Sequence, residues 1–447
     1  MRSISFHGGS SGEVTGSSYL FTSLAGTKLL VDFGMFQGGD KASSYNYQKL
    51  EFNPADLDAV VLTHAHLDHC GRLPMLVFRG FKGSIYMSEP TRSLVEVILN
   101  DSARIAADDK THEPLYREDE VEQVLKMIKT VVYDKPLTIG DLVVTFRDAG
   151  HILGSSSIEV VDQKDKKKIV FSGDLGNTPE DIVRPTYFID EADVVVMEST
   201  YGSSSHPDDV PTQILQEEIN QTEKTGGVLL IPAFSIERTQ EILHRIHHLK
   251  KEKKIKEDTP VFLDSPMGIR TTIIFRDFKE FYNEELRGHT DDPFSFEGLV
   301  VSENSRDSKE IIKAMNPKVI LAGSGMLSGG RILHHAANYL GRDTTRLLFV
   351  GYQSEETLGR KVLDGEKKIM IDKQHVTVRA HIRQIESFSS HADQPKLMNW
   401  LRSMKGVQKV FLIHGEDPQR TALAAKIKSD LKINDIILPK LGESFEF

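Results

Sequence analysis

The sequence predicts an α/β protein in which a regular parallel-sheet unit interrupts a more β-rich one. Three features carry that expectation: short apolar runs broken by Gly and Ser at the start, a strand–helix alternation between about Gly202 and Gln384, and a late strand at Val410 to Ile413 that ends in His414. The middle feature is the pattern of a doubly wound sheet with helices on both faces. The outer two then belong to one unit split along the chain.

Each element follows from local pattern. Arg2 to Phe6, Ser17 to Thr22 and Lys28 to Phe33 alternate apolar residues with turn residues and read as antiparallel strands. Ala59 to Thr63 (AVVLT) is a continuous apolar run, the mark of a buried strand, while Thr91 to Ala107 has helical spacing, with Leu94, Val95, Ile98 and Leu99 on one face. Val143 to Arg147, Ser157 to Val161, Lys168 to Phe171 and Val194 to Met197 are further strands, and Lys164 to Lys168 (KDKKK) is an exposed hairpin tip. Beyond Gly202, strands at Gly227 to Ile231, Val261 to Leu263, Val319 to Leu321 and Leu347 to Val350 each lead into a helical segment. Lys250 to Lys256 (KKEKKIK) is most simply a solvated helix end, and Gln419 to Leu431 is a closing amphipathic helix.

Composition bounds the function. The 447 residues carry 55 Lys plus Arg against 65 Asp plus Glu, a formal charge of −10, with 39% hydrophobic and 27% charged residues. That is globular, and long enough for two or three domains. A single cysteine, Cys70, excludes an internal disulfide and a Cys-rich zinc module and points to a reducing compartment, so a cytoplasmic protein is expected. Neither a leader-like start nor a stretch of roughly 20 apolar residues is present, so secretion and membrane spanning are not expected. The acidic balance argues against a broad basic grip on nucleic acid. It leaves a metal-dependent nuclease open, because bound divalent cations invert a local field.

The strongest chemical signal is Thr63 to His69, THAHLDH, directly after the buried strand. His64, His66, Asp68 and His69 place four potential ligands within six residues, and His64 and His66 leave an extended segment on the same side. Four such neighbours do not easily close one tetrahedron, so a dinuclear site with further ligands from elsewhere is expected. Candidates stand at strand ends bracketed by Gly: His151 in AGHILGSSS, Asp174 in FSGDLG and His414 in LIHGE.

With Asp32 in LLVDFG, this set resembles the metallo-β-lactamase superfamily, an αββα sandwich with a dinuclear metal site at its edge. Glu198 in VVMESTYG, His391 in SFSSHAD and His414 in LIHGE resemble the A, B and C motifs of the β-CASP branch, whose nucleases include ribonuclease J. PAFSIERTQEIL, DSPMG and GSGMLSGGRILHH are similar to segments of bacterial and archaeal ribonucleases of that group, and the likeness covers essentially the whole chain. It implies a sandwich formed by residues 1–205 and 385–447, interrupted by a parallel-sheet β-CASP domain at 206–384.

The resemblance also implies roles. His64, His66 and His151 would bind one zinc ion, Asp68, His69 and His414 a second, with Asp174 bridging; Mn2+ or Fe suits the same ligands. A hydroxide between the ions would be the nucleophile, with Asp68, His391 and Glu198 in the catalytic set: His391 as general acid, Glu198 holding it. Asp32 would orient a ligand histidine. Histidine at position 414 favours RNA, so hydrolysis of single-stranded RNA in a cleft between the domains is the implied activity. Ser324, Gly325, Arg331 and Arg238 are candidate contacts to phosphate. Glu356 stands where relatives usually carry Gly. Arg2 opening the first strand and only 33 residues after His414 predict no KH pair and no extra C-terminal domain, and self-association as a homodimer is left open. Two other readings compete: a hydrolase of a small ester or thioester, against which a large inserted domain argues, and a non-catalytic RNA-processing scaffold, against which the intact ligand set argues.

Overall fold

The computed structural model describes residues 1–109, 113–177, 181–207, 210–354, 357–371, 373–385 and 387–447. Glu356 lies outside the described residues. The chain divides into two compact units, Met1–Ser205 with Ser390–Phe447, and His206–Ser389.

The first unit is two seven-stranded sheets face to face. One runs, edge to edge, through Ser444–Glu446, Ser3–Gly8, Ser18–Thr22, Lys28–Val31, Ala59–Val61, Ser84–Ser88 and Ile128–Val131. Its first strands pair antiparallel, as the alternation predicts, and pairing turns parallel from Lys28–Val31 onward. The second sheet runs Asp435–Ile437, Lys409–Ile413, Val194–Glu198, Lys168–Phe171, Ser156–Asp162, Leu142–Asp148 and Leu137–Ile139.

Side-chain alternation makes the layers. In Val194–Glu198, Val194 and Val196 join Phe6, Phe21, Phe146 and Phe411 in the core between the sheets. Val195 and Met197 face the other way, onto Leu397, Trp400, Leu401, Leu423 and Ile427 of the helices Gln394–Ser403 and Asp417–Leu431. A strand covered on both faces must be apolar throughout, which is why this one reads as a continuous run. The helix Glu89–Asp108 starts at Ser88, whose hydroxyl accepts the N–H of Thr91, and buries Leu94, Val95, Ile98 and Leu99.

The second unit is a six-stranded parallel sheet in the order Leu299–Val301, Val261–Asp264, Lys318–Ala322, Val228–Pro232, Thr345–Phe349 and His381–Gln384, with a separate antiparallel pair Lys368–Ile371 and Gln374–Thr377. The expected solvated helix end holds for Lys251 to Lys254, which are exposed where the helix Arg238–Lys251 stops, and fails at one residue. Lys250, read as part of a solvated helix end, is buried, and its Nζ donates to the carbonyls of Glu257, Thr259 and Glu297 at 2.7–2.8 Å. Three carbonyl acceptors replace the water that the ammonium loses, which is what allows a lysine inside.

Candidate metal centre

The centre is assembled at the ends of strands in the first unit. After Ala59–Val61 the chain stays extended through Thr63, whose N–H and hydroxyl donate to the two carboxylate oxygens of Asp32 at 2.7 and 2.8 Å. His66 then caps the four-residue helix Leu67–Cys70, which turns Asp68 and His69 back toward His64. Gly34 lets this helix come close: a Cβ there would lie 1.5 Å from the Asp68 carbonyl oxygen. Asp174 follows Lys168–Phe171 through Gly173, which takes φ +58° against Thr63 and the Ser156 carbonyl. Asp32 and His414 also hold positive φ, at 58° and 48°. That conformation costs a non-glycine residue energy and is common at sites that need a fixed side-chain direction.

Four of the five ligand histidines are oriented through their outer nitrogen. His69 donates from Nδ1 to Asp32 Oδ2 at 2.7 Å, and His151 from Nδ1 to the Ser390 carbonyl at 3.0 Å. His64 Nδ1 lies 3.0 Å from Thr63 Oγ1, and His414 Nδ1 lies 3.0 Å from Ser17 Oγ. These partners select the tautomer that turns Nε2 inward. Ser17 carries no chemical signal in the sequence, and its partner lies 397 positions away.

Inside, the nitrogens and carboxylates crowd together. His66 Nδ1 is 3.1 Å from His64 Nε2 and 3.2 Å from His151 Nε2, more contacts than one proton can serve. Asp174 Oδ2 lies 3.4 Å from His64 Nε2, 3.6 Å from His151 Nε2 and 3.5 Å from His414 Nε2, while Oδ1 lies 3.3 Å from His69 Nε2. Asp68 Oδ2 completes a second group, 4.0 Å from His69 Nε2 and 3.9 Å from His414 Nε2. His69 Nε2 and Asp174 Oδ1 are buried without a hydrogen-bond partner. Ligands held about 2.0–2.1 Å from one tetrahedral cation are about 3.3 Å apart, so the spacing and the orphaned atoms fit bound divalent metal.

Electrostatics agree with that fit. Burial, with neighbouring imidazoles, pushes His64 and His151 well below the ordinary range and His66 down to about 3, which favours the lone-pair-donating form of each. Burial also lowers His414. Burial opposes the charge on Asp174, but His414, His69 and His64 outweigh it and hold the carboxyl well below its usual range. His69 goes up despite its burial, because Asp174 and Asp32 flank it. A cation held by Nε2 would take the place of that proton and leave the Asp32 bond in place. Replacing Asp32 by Ala is therefore expected to weaken metal binding about 10–100-fold in competition with a chromogenic chelator, and unchanged affinity would remove its orienting role.

Beside the ligands stands a second pair. Glu198 is fully buried at the end of its strand and accepts the N–H groups of Leu175 at 2.9 Å and Thr200 at 3.1 Å. Its Oε1 lies 3.3 Å from His391 Nδ1. Burial alone would lower His391, but the Glu198 charge and hydrogen bond, with Asp174 and Asp68, raise it to about 9.

The structure thus brings together His64, His66, Asp68, His69, His151, Asp174, His414, Asp32, Glu198 and His391. The four expected phosphate contacts lie in the other unit. Arg238 is buried, paired with Glu241 and stacked 4.6 Å over the Phe388 ring. Arg331 donates from Nη1 to Asp264 Oδ1 at 2.6 Å and to the Ser302 carbonyl at 2.7 Å, and from Nη2 to the Glu303 carbonyl at 3.0 Å. Each guanidinium thus has protein acceptors that hold its own loop, and these four residues are not part of the metal centre. Ser324 Oγ accepts the Ser328 N–H at 3.0 Å inside the same Gly-rich turn as Gly325.

A two-sheet sandwich with His and Asp groups at its strand ends is the frame of a metallo-hydrolase. Comparison with known families places the Metallo-beta-lactamase superfamily on residues 11–224, the Beta-Casp domain on 239–362 and the Zn-dependent metallo-hydrolase RNA specificity domain on 375–439. Among curated proteins, the chain is 37% identical to ribonuclease TTHA0252 of Thermus thermophilus over 99% of both chains. It is 31% identical to an RNase J-like protein of Methanocaldococcus jannaschii, over 84% of this chain and 86% of that one. To the transcription termination factor FttA of the same organism it is 30% identical, over 93% of this chain and 67% of the relative. A crystal structure of a protein of unknown function from Enterococcus faecalis V583 shares the fold, with TM-score 0.58 and 13% identity over 99% of each chain. The chain belongs to the β-CASP ribonuclease family of the metallo-beta-lactamase superfamily.

Proposed function

We propose that the protein is a zinc-dependent ribonuclease that hydrolyses phosphodiester bonds of single-stranded RNA, with His391 as general acid. The observation that carries this is the juxtaposition of the His391–Glu198 pair with Asp174, whose Oδ2 lies 4.0 Å from His391 Nδ1, at the edge of the ligand cluster. His64, His66 and His151 would hold one cation, Asp68, His69 and His414 a second, with Asp174 between them. Bound there, the ions lower the pKa of water and neutralise charge growing on the phosphoryl oxygens.

The chain's own residues do the rest. Glu198, fixed by two backbone N–H groups, keeps His391 protonated through neutrality and turns its other nitrogen outward to give a proton to the leaving 3′ oxygen. Asp32, Thr63, Ser17 and the Ser390 carbonyl orient the imidazoles of His69, His64, His414 and His151. A small thioester, whose thiolate leaves unprotonated, needs no such acid beside the ligands, and a scaffold needs none of the ligands.

The test compares cleavage of a single-stranded RNA and of a small acyl ester before and after chelation. RNA cleavage that chelator abolishes and zinc restores, with no ester hydrolysis, is the expected result. Undiminished RNA cleavage after metal removal would overturn the reading.

A further inference from the structure

We infer that Phe234 is a base-stacking platform for the RNA, set on the second unit at the switch point of its parallel sheet. This rests on the ribonuclease reading. The strand Val228–Pro232 pairs with Thr345–Phe349. From the first, the chain moves on to Val261–Asp264 on one side of the sheet, and from the second to His381–Gln384 on the other. Connections that diverge in this way leave a crevice at the C-terminal ends of the two strands, where open α/β sheets take their ligands. Phe234 follows one of these strands and Tyr352 the other, and they are 43% and 49% exposed.

Phe234 is not a loose surface ring. Its carbonyl accepts the Thr239 N–H at 3.2 Å and the Thr239 hydroxyl at 2.7 Å, so its backbone is pinned to the start of the helix Arg238–Lys251. The ring lies on glycine backbone: a Cβ at Gly325 would meet Cδ2 and Cε2 at 3.0 Å, and one at Gly351 would meet Cε2 at 3.7 Å. Buried Gln353 ties these two glycine loops together, its Nε2 donating to the carbonyls of Gly325 at 3.0 Å and Gly351 at 3.3 Å. These loops meet the Cδ2–Cε2 edge of the ring, and the residue stays 43% exposed.

An exposed, flat, pre-positioned aromatic suits an unstacked nucleobase, since every base offers a π-face and single strands splay their bases out. Fixing the ring in advance removes most of the ordering cost of the contact. Stacking of this kind discriminates weakly among bases, so the site grips strand and not sequence.

The experiment uses the full-length metal-loaded protein and a single-stranded RNA in which one abasic nucleotide is moved position by position. Phe234→Ala is expected to raise KM about tenfold with little change in kcat, and Phe234→Tyr to restore it. One abasic position should reproduce that loss in the wild type and cause no further loss in Phe234→Ala. If the wild type cuts RNA and Phe234→Ala has the same KM, or the abasic and Phe234→Ala losses add at every position, the inference fails while the ribonuclease reading stands. A wild type that neither binds nor cuts RNA defeats both.

Discussion

Asp174→Asn is expected to abolish RNA cleavage, by about a thousandfold or more, and to lower the metal content of the purified protein. The substitution keeps the side-chain volume and removes one charge. In the native cluster the Asp174 oxygens lie 3.3–3.6 Å from nitrogens of His64, His69, His151 and His414, so one carboxylate serves both ligand groups. His414, His69 and His64 hold it well below its usual pKa, against the opposing effect of burial, so it stays ionised across the working pH range. An amide there would keep one acceptor oxygen and turn N–H groups toward the imidazole nitrogens and toward any cation held between them. Losing about 4 kcal/mol of transition-state stabilisation corresponds to the stated factor at about 1.4 kcal/mol per decade. Elemental analysis and cleavage of labelled RNA check both parts, and a variant with full metal content and activity within tenfold of wild type would rule out a shared ligand.

What was legible in the sequence is what local spacing encodes. THAHLDH announces itself because four potential ligands fall in one strand-to-helix turn, and His151, Asp174 and His414 because each stands near the end of an apolar run beside glycine. The continuous runs of Val194–Glu198 and Val228–Pro232 are equally plain, since strands covered on both faces carry no polar interruptions. Short edge strands such as Leu137–Ile139 and Leu299–Val301 are not, because three residues set no period. Ser17 is invisible for a different reason: an ordinary serine acquires meaning only when the fold brings it to His414. The same holds for Arg331, Arg238 and Lys250. A cation in a sequence suggests water or phosphate, whereas here the acceptors are Asp264, Glu241 and backbone carbonyls, none of which has a one-dimensional signature.

His391→Ala is expected to lower kcat for RNA about 10²–10⁴-fold, the range typical of a positioned general acid, while leaving the metal content intact. The second half of this prediction decides between two roles the geometry offers. With Asp174 and His414, His391 forms a third ligand-like group, so a metal-binding role would show as lost metal. Its Nδ1 lies nearer Glu198 Oε1, at 3.3 Å, than Asp174 Oδ2, at 4.0 Å, which favours the acid. An RNA whose leaving 3′ oxygen is replaced by sulfur needs no proton, so the His391→Ala defect should nearly vanish on it. The pH profile carries the same information with a definite sign. Glu198, together with Asp174 and Asp68, raises His391 to about 9 against burial, so the acid form persists through neutrality and is lost as pH rises toward that value; the positive charge of bound cations draws the limb lower. Glu198→Gln removes the largest raising influence, so the alkaline limb of kcat should move to lower pH, with the loss greatest above neutrality and smallest in mild acid. An unmoved limb, or an undiminished defect on the sulfur-containing RNA, would take the proton-donor role away from His391.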